Sequence, residues 1–218
     1  MDLYILTLQK WLKQLLPNPH KVLHISLVFL LLSLPVVTVG YAACVCLLMA
    51  RFSVDESEVG FREIVGIYAK PIFLKAVAMG LLDICLAVLT VLCAGLLIKS
   101  DTSTIARFFY CLYLIMELFL LLSSIYRYPI LVCNPKLRLS DVFKRGALIT
   151  FKYLFRCILF ALVMLTAFIL CALTGVGIIL VFPGLVAFFV IIIYRQTLAY
   201  ETEDDDGLKP YTSQKQRT

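Results

Sequence analysis

From Leu154 to Tyr194 the chain runs for about 40 residues with a single charge, Arg156. A helix crosses a hydrocarbon core of about 30 Å with roughly 20 apolar residues, so this stretch is two crossings long. Thr174, Gly175 and Gly177 punctuate its middle and read as the turn of a tight helical hairpin, with a fourth span ending near Thr174 and a fifth beginning near Val176. Three earlier runs also have the length of a crossing: Ile25 to Ala50, Ile72 to Ile98, and Phe108 to Ile125. The fold class expected is therefore all-α, a polytopic transmembrane bundle of about five spans over residues 24–197. Composition agrees: 62% of the 218 residues are hydrophobic, and the 20 basic and 14 acidic side chains crowd into short stretches between the runs. That pattern excludes a soluble enzyme, a disordered chain and a disulfide scaffold. The net charge of +6 sits in loops beside spans, the place of topology signals and not of a nucleic-acid surface.

The ends differ from the middle. In the first 16 residues Ile5, Leu8, Trp11, Leu12 and Leu15 share one helical face and Lys10 and Lys13 lie opposite, the pattern of a helix lying flat in the interface; residues 1–23 are assigned to it. A second interfacial helix is expected where Phe61, Ile64, Val65 and Tyr68 share a face. Residues 198–218, with the acidic run Glu201, Glu203, Asp204, Asp205 and Asp206, have nothing to bury and read as a disordered polar tail. Pro35 and Pro183 fall inside spans, where each removes a backbone donor and is expected to kink its helix. Ala76 with Gly80, and Thr90 with Ala94, have the spacing of closely approaching helices.

The distribution of basic side chains gives an orientation. Lys10, Lys13, Lys21, Lys99 and Arg107 lie on one side of five spans, and thirteen lie on the other, in the first loop, the third loop and the C-terminal segment. The C-terminus is thus expected in the cytoplasm and the N-terminus outside, against which the three N-terminal lysines argue. All eight cysteines lie in or beside spans, where a thiol packs as a small apolar group. His20 and His24 have a chelating spacing but no third ligand in the sequence around them, so no metal site and no cofactor is expected. Phosphate-binding glycine loops, nucleophile elbows and zinc motifs are absent, and the chain is expected not to be an enzyme.

Ionisable groups inside spans are costly and mark candidate sites. Asp83 and Glu117 each fall near mid-depth on neighbouring antiparallel spans, so the two carboxyl groups are placed at one level. Facing each other, they would share a proton, as a proton-coupled pathway requires. The alternative is that each is held by hydroxyls such as Thr90, Ser123 or Thr166. Arg127, Lys144, Arg145, Lys152 and Arg156 form a basic belt around the third loop, suited to anionic lipid heads or to a docking partner. Ser140 with Asp141 reads as the N-terminal cap of a helix running straight into the fourth span.

Ser33-Leu34-Pro35-Val36-Val37-Thr38-Val39-Gly40, followed by Ala42, Ala43 and Arg51, resembles the N-terminal signature of the YesL-like family of bacterial membrane proteins. So do Phe61-Arg62, Tyr126-Arg127-Tyr128-Pro129, Leu139-Ser140-Asp141, Pro183-Gly184 and Tyr194-Arg195, over roughly residues 20 to 197, although Tyr41 stands where the family often has proline. The resemblance implies a multi-pass protein of the bacterial cytoplasmic membrane whose biochemical function is unknown. It also implies an association with carbohydrate uptake, because family members are often encoded beside carbohydrate ABC transporters. The partners expected are the lipid bilayer and an ABC transporter permease, with a homo-oligomer as the arrangement of the rival reading, a small transporter or channel using the intramembrane carboxylates.

Overall fold

The computed structural model describes residues 19–55, 59–99 and 104–204, and among these there is helix and no strand. Of the interfacial helix assigned to residues 1–23, residues 1–18 lie outside the described residues and 19–23 are instead the start of the helix Pro19–Ser33; the tail beyond Asp204 also lies outside the described residues. Among the described residues the main α-helices are α1 Pro19–Ser33, α2 Val39–Val54, α3 Phe73–Lys99, α4 Thr104–Cys133, α5 Leu139–Lys152, α6 Leu154–Leu173, α7 Val176–Leu180 and α8 Phe182–Asp204. Among the described residues, five helical stretches are long and apolar enough to cross a membrane.

The first apolar run is not one kinked span. It breaks after Ser33, and Pro35 is extended backbone (φ −77°, ψ 113°) leading into a 3-10 turn at Val36–Thr38. α2 then folds back along α1, so that the Cys46 thiol lies 3.5 Å from the Ile25 carbonyl. In a continuous helix these two residues would stand about 30 Å apart. Pro35 therefore separates two helices instead of bending one, because the residue before a proline is driven out of the helical region. Thr38 closes the turn, its hydroxyl reaching the Leu32 and Pro35 carbonyls. The N-terminal orientation expected from the sequence rested on residues 25–50 being a single crossing, and the fold-back removes that premise.

α2 is the spine of the core. Ala42, Cys44, Val45 and Ala50 are fully buried, with α1, α3, α4 and α8 packed around them. The approach to α3 is made by glycine: a Cβ on Gly40 would lie 2.2 Å from the Ala76 carbonyl oxygen and 2.7 Å from the Gly80 Cα. Ala76 and Gly80 are thus the close-packing pair the spacing predicts. Ser26 on α1 seats the start of α8 by accepting from the Gly184 amide at 2.8 Å.

Other boundaries also moved. The second interfacial helix is continuous with the second span: Phe61–Glu63 leads through a π turn, Ile64–Ala69, and a 3-10 turn, Lys70–Ile72, into α3. Pro71, which cannot donate, accounts for the change of hydrogen-bond register. Of its expected face, Ile64 is buried and Tyr68 packs edge-on against Phe52, whereas Phe61 is exposed. α4 does not end at Ile125 but continues through Pro129 to Cys133. The hairpin after Leu154 is present, turning at Thr174 and Gly175, the latter at φ 64°, a conformation that suits glycine. Pro183 sits in the first turn of α8, where its missing donor costs nothing, and so it starts a helix and does not kink one. α5 does not run straight into α6: the chain breaks at Tyr153 (φ −116°, ψ 30°). Arg138 is the cap residue of α5, and no side-chain cap bond forms, so Ser140 does not cap it. Lastly, α8 extends to Asp204, into the stretch expected to be disordered, because Gln196, Leu198, Ala199 and Glu201 are good helix formers.

Candidate functional site

Asp83 and Glu117 do not meet. Each belongs to a separate polar cluster between α3 and α4, and the Thr90 that holds Glu117 lies seven residues beyond Asp83, about 10 Å along the helix axis.

The first cluster is a charge clamp. Arg127 Nη2 donates to Asp83 Oδ1 at 3.1 Å and to the Leu120 carbonyl at 2.8 Å, and Tyr128 Oη donates to Asp83 Oδ2 at 2.9 Å. The Arg127 side chain is 0% exposed and that of Asp83 31%. This arginine was expected in the basic belt on the surface; it is instead the most deeply enclosed charge among the described residues. Its burial is possible because Asp83 supplies the countercharge and α5 supplies a lid. The guanidinium carbon stands 4.6 Å from the centroid of the Phe143 ring. Gly146, one turn further along α5, leaves room for the arginine stem, since a Cβ there would lie 2.5 Å from Arg127 Cγ. Nε and Nη1 have no hydrogen-bond partner, so the aromatic face is their main compensation. One side chain thereby ties α3, α4 and α5 together. Nearby, Lys75 Nζ donates to the Pro135 and Leu137 carbonyls at 2.7 and 2.8 Å, holding the start of α3 to the α4–α5 connection.

The second cluster lies further out along the α3–α4 hairpin. Glu117 is bonded by the Thr90 hydroxyl. Thr90 Oγ1 is also 3.1 Å from Tyr113 Oη and 3.0 Å from the Leu86 carbonyl, and Tyr113 Oη donates to that same carbonyl at 3.0 Å. The hydroxyl-bound arrangement is therefore the one adopted for Glu117 by Thr90; Ser123 and Thr166 bond carbonyls of their own helices instead. No cation pairs with Glu117 among the described residues.

Of the remaining belt residues, Lys144, Arg145 and Lys152 are exposed on α5. Lys152 and Arg156 both lie over the Tyr153 ring, at 5.3 and 4.9 Å, around the break between α5 and α6. A groove of about 490 Å³ beside the π turn is lined by Tyr41, Val65, Gly66, Lys70, Phe73 and Leu74. Among the described residues no three His, Cys, Asp or Glu side chains stand together as metal ligands.

Phe143, Gly146 and Tyr113 are the members of these clusters that the sequence did not single out, and Tyr128 entered only as part of the Tyr126–Pro129 motif. The available signal was the Arg127-Tyr128 pair inside an apolar stretch. No protein-family model, curated protein or solved structure matches this chain.

Proposed function

We propose that this protein is a non-enzymatic integral membrane protein of the bacterial cytoplasmic membrane that acts as an accessory partner of a carbohydrate-uptake permease. The observation that carries the partner role is the outer part of the α3–α4 hairpin. Beyond the Asp83–Arg127 clamp the two helices keep large apolar side chains uncovered, Val91 at 71% and Leu121 at 66% exposed among them, around the Glu117 carboxyl, which Thr90 bonds and with which no cation pairs among the described residues. An intramembrane carboxyl without a cation, set in an apolar flank, suits a neighbouring helix that brings a donor or a positive charge. The carbohydrate assignment rests on the resemblance of Ser33–Gly40 and the later motifs to the YesL-like family. In this reading both ends of the bundle's chain face the cytoplasm: with residues 25–50 folded back, Lys21 joins Arg51 and Arg62 on the side rich in basic residues.

The test is photo-crosslinking in the source bacterium from a reactive residue placed at Val91 or Leu121, followed by identification of what is captured. A sugar-transporter permease captured at these positions, and not from a site on α1, supports the partner role. Capture of lipid alone at both positions overturns it. Glu117 also favours a second reading, a small oligomeric transporter; crosslinks only to further copies of this chain, with solute uptake in vesicles lost on Glu117→Gln, would establish that one instead.

A further inference from the structure

We infer that α5 is a binding site for anionic phospholipid headgroups, held in place from within by the Arg127 clamp. This inference is independent of the partner role. One face of α5 is fixed to the bundle by Val142, Gly146 and Thr150, a run at four-residue spacing that is buried throughout. At about 100° per residue, Lys144, Leu148 and Phe151 fall within about 60° of one another on the opposite side, and Arg145 borders that stripe. Leu148 and Phe151 are 70% and 75% exposed, and Phe155, at 76%, continues the apolar surface past the break at Tyr153. Lys144 and Arg145 are exposed too. Asp141, in the first turn, makes no ion pair with either of them among the described residues.

Two bulky apolar side chains beside two cations on one exposed helical face match the lipid boundary: the leucine and phenylalanine enter the acyl region and the cations meet phosphate oxygens. A soluble acidic protein would satisfy the charges and leave Leu148 and Phe151 in water, which is why the occupant assigned is a lipid. Phe143 and Gly146 connect this face to the interior, because the same helix that presents Lys144 and Arg145 outward closes over Arg127 inward.

The test is native mass spectrometry of the full chain in mild detergent, titrated with phosphatidylglycerol or with phosphatidylcholine. The wild type is expected to retain phosphatidylglycerol in preference. In Lys144→Gln/Arg145→Gln that preference is expected to fall about thirty-fold, from about 1 kcal/mol per side chain and 1.4 kcal/mol per tenfold. Arg62→Gln/Lys70→Gln, which removes two basic residues elsewhere, should leave it unchanged, and Lys144→Arg/Arg145→Lys should retain it whatever the folding of the glutamine variant. Equal retention of the two lipids by the wild type, an unchanged preference in the glutamine variant, or an equal loss in the Arg62/Lys70 control overturns the assignment. So does displacement of the lipid by millimolar inorganic phosphate, which would make this a site for the free anion.

Discussion

The clamp makes an asymmetric prediction about its two partners. Replacing Asp83 by leucine leaves the Arg127 guanidinium fully buried, its Nη2 bonded only to the Leu120 carbonyl and its Nε and Nη1 already without hydrogen-bond partners. Removing one partner of a buried pair costs about 3–5 kcal/mol. The lower end applies here, about 3 kcal/mol, because Phe143 still covers the cation and Asp83 was itself partly exposed. Replacing Arg127 by methionine is milder, because the Asp83 carboxylate left behind is 31% exposed and keeps its bond from Tyr128. About 1.5–2 kcal/mol is expected, the low end for a charged hydrogen bond because the carboxylate left behind is partly exposed. Replacing both together removes the uncompensated charge, and the double variant is expected to be more stable than Asp83→Leu alone by about 2 kcal/mol. The assay is unfolding by sodium dodecyl sulfate in dodecylmaltoside micelles, followed by circular dichroism, for all four proteins. If the two single losses simply add in the double variant, or if Arg127→Met is the more damaging of the pair, the residues do not act as a charge clamp.

Three further outcomes follow from the packing. A variant retaining Cys46 as its sole native cysteine and carrying Ile25→Cys should form an intramolecular disulfide on mild oxidation, read as a mobility shift on a non-reducing gel; a chain in which residues 25–50 were one helix would not crosslink at all. Gly40→Ala is expected to cost about 3 kcal/mol or more or to abolish folding, since its Cβ would press on the Ala76 carbonyl and the Gly80 backbone, neither of which can swing aside; a melting temperature within 2 °C of wild type, set against about 2–4 °C per kcal/mol for a chain of this size, would contradict the observed approach of α2 to α3. Ser26→Ala leaves the Gly184 amide without its partner inside the bundle and should destabilise by about 1–3 kcal/mol, with amide exchange at the start of α8 as the local readout; unchanged protection there would show that the serine does not seat that helix.

The membrane spans after residue 60, and the hairpin after Leu154, were legible as lengths of apolar sequence between charges. The fold-back at Pro35 was not, because length and hydropathy count residues and carry no direction: Ser33 to Thr38 carries no charge to interrupt the run, and only its backbone geometry distinguishes a reversal from a kink. Asp83 and Glu117 were found by the cost of placing a carboxyl in lipid, but not their partners. The countercharge of Asp83 lies 44 residues away on α4, and an arginine near the end of an apolar run reads as an interfacial residue until the helix is seen to continue past it. The glycine contacts fall between these cases. The Ala76–Gly80 spacing marked the correct face of α3, whereas Gly40, the residue it receives, carried no spacing signal of its own.

The clamp divides the protein into parts that respond differently to the bilayer. The helical stretch Phe61–Gly95 is 35 residues long, and at 1.5 Å per residue, about 52 Å in all, it outreaches a hydrocarbon core of about 30 Å. Its near end is fixed by Lys75, Gly80 and Asp83 to α2, α4 and the α4–α5 connection. Its far end is bound chiefly to α4. A change in membrane thickness is therefore expected to be met first by tilt of the outer hairpin, beyond the level of Asp83, and less by the packing around α2. The angle of that hairpin becomes a mechanical readout of the membrane it stands in, and any helix docked against Val91 or Leu121 would be carried with it.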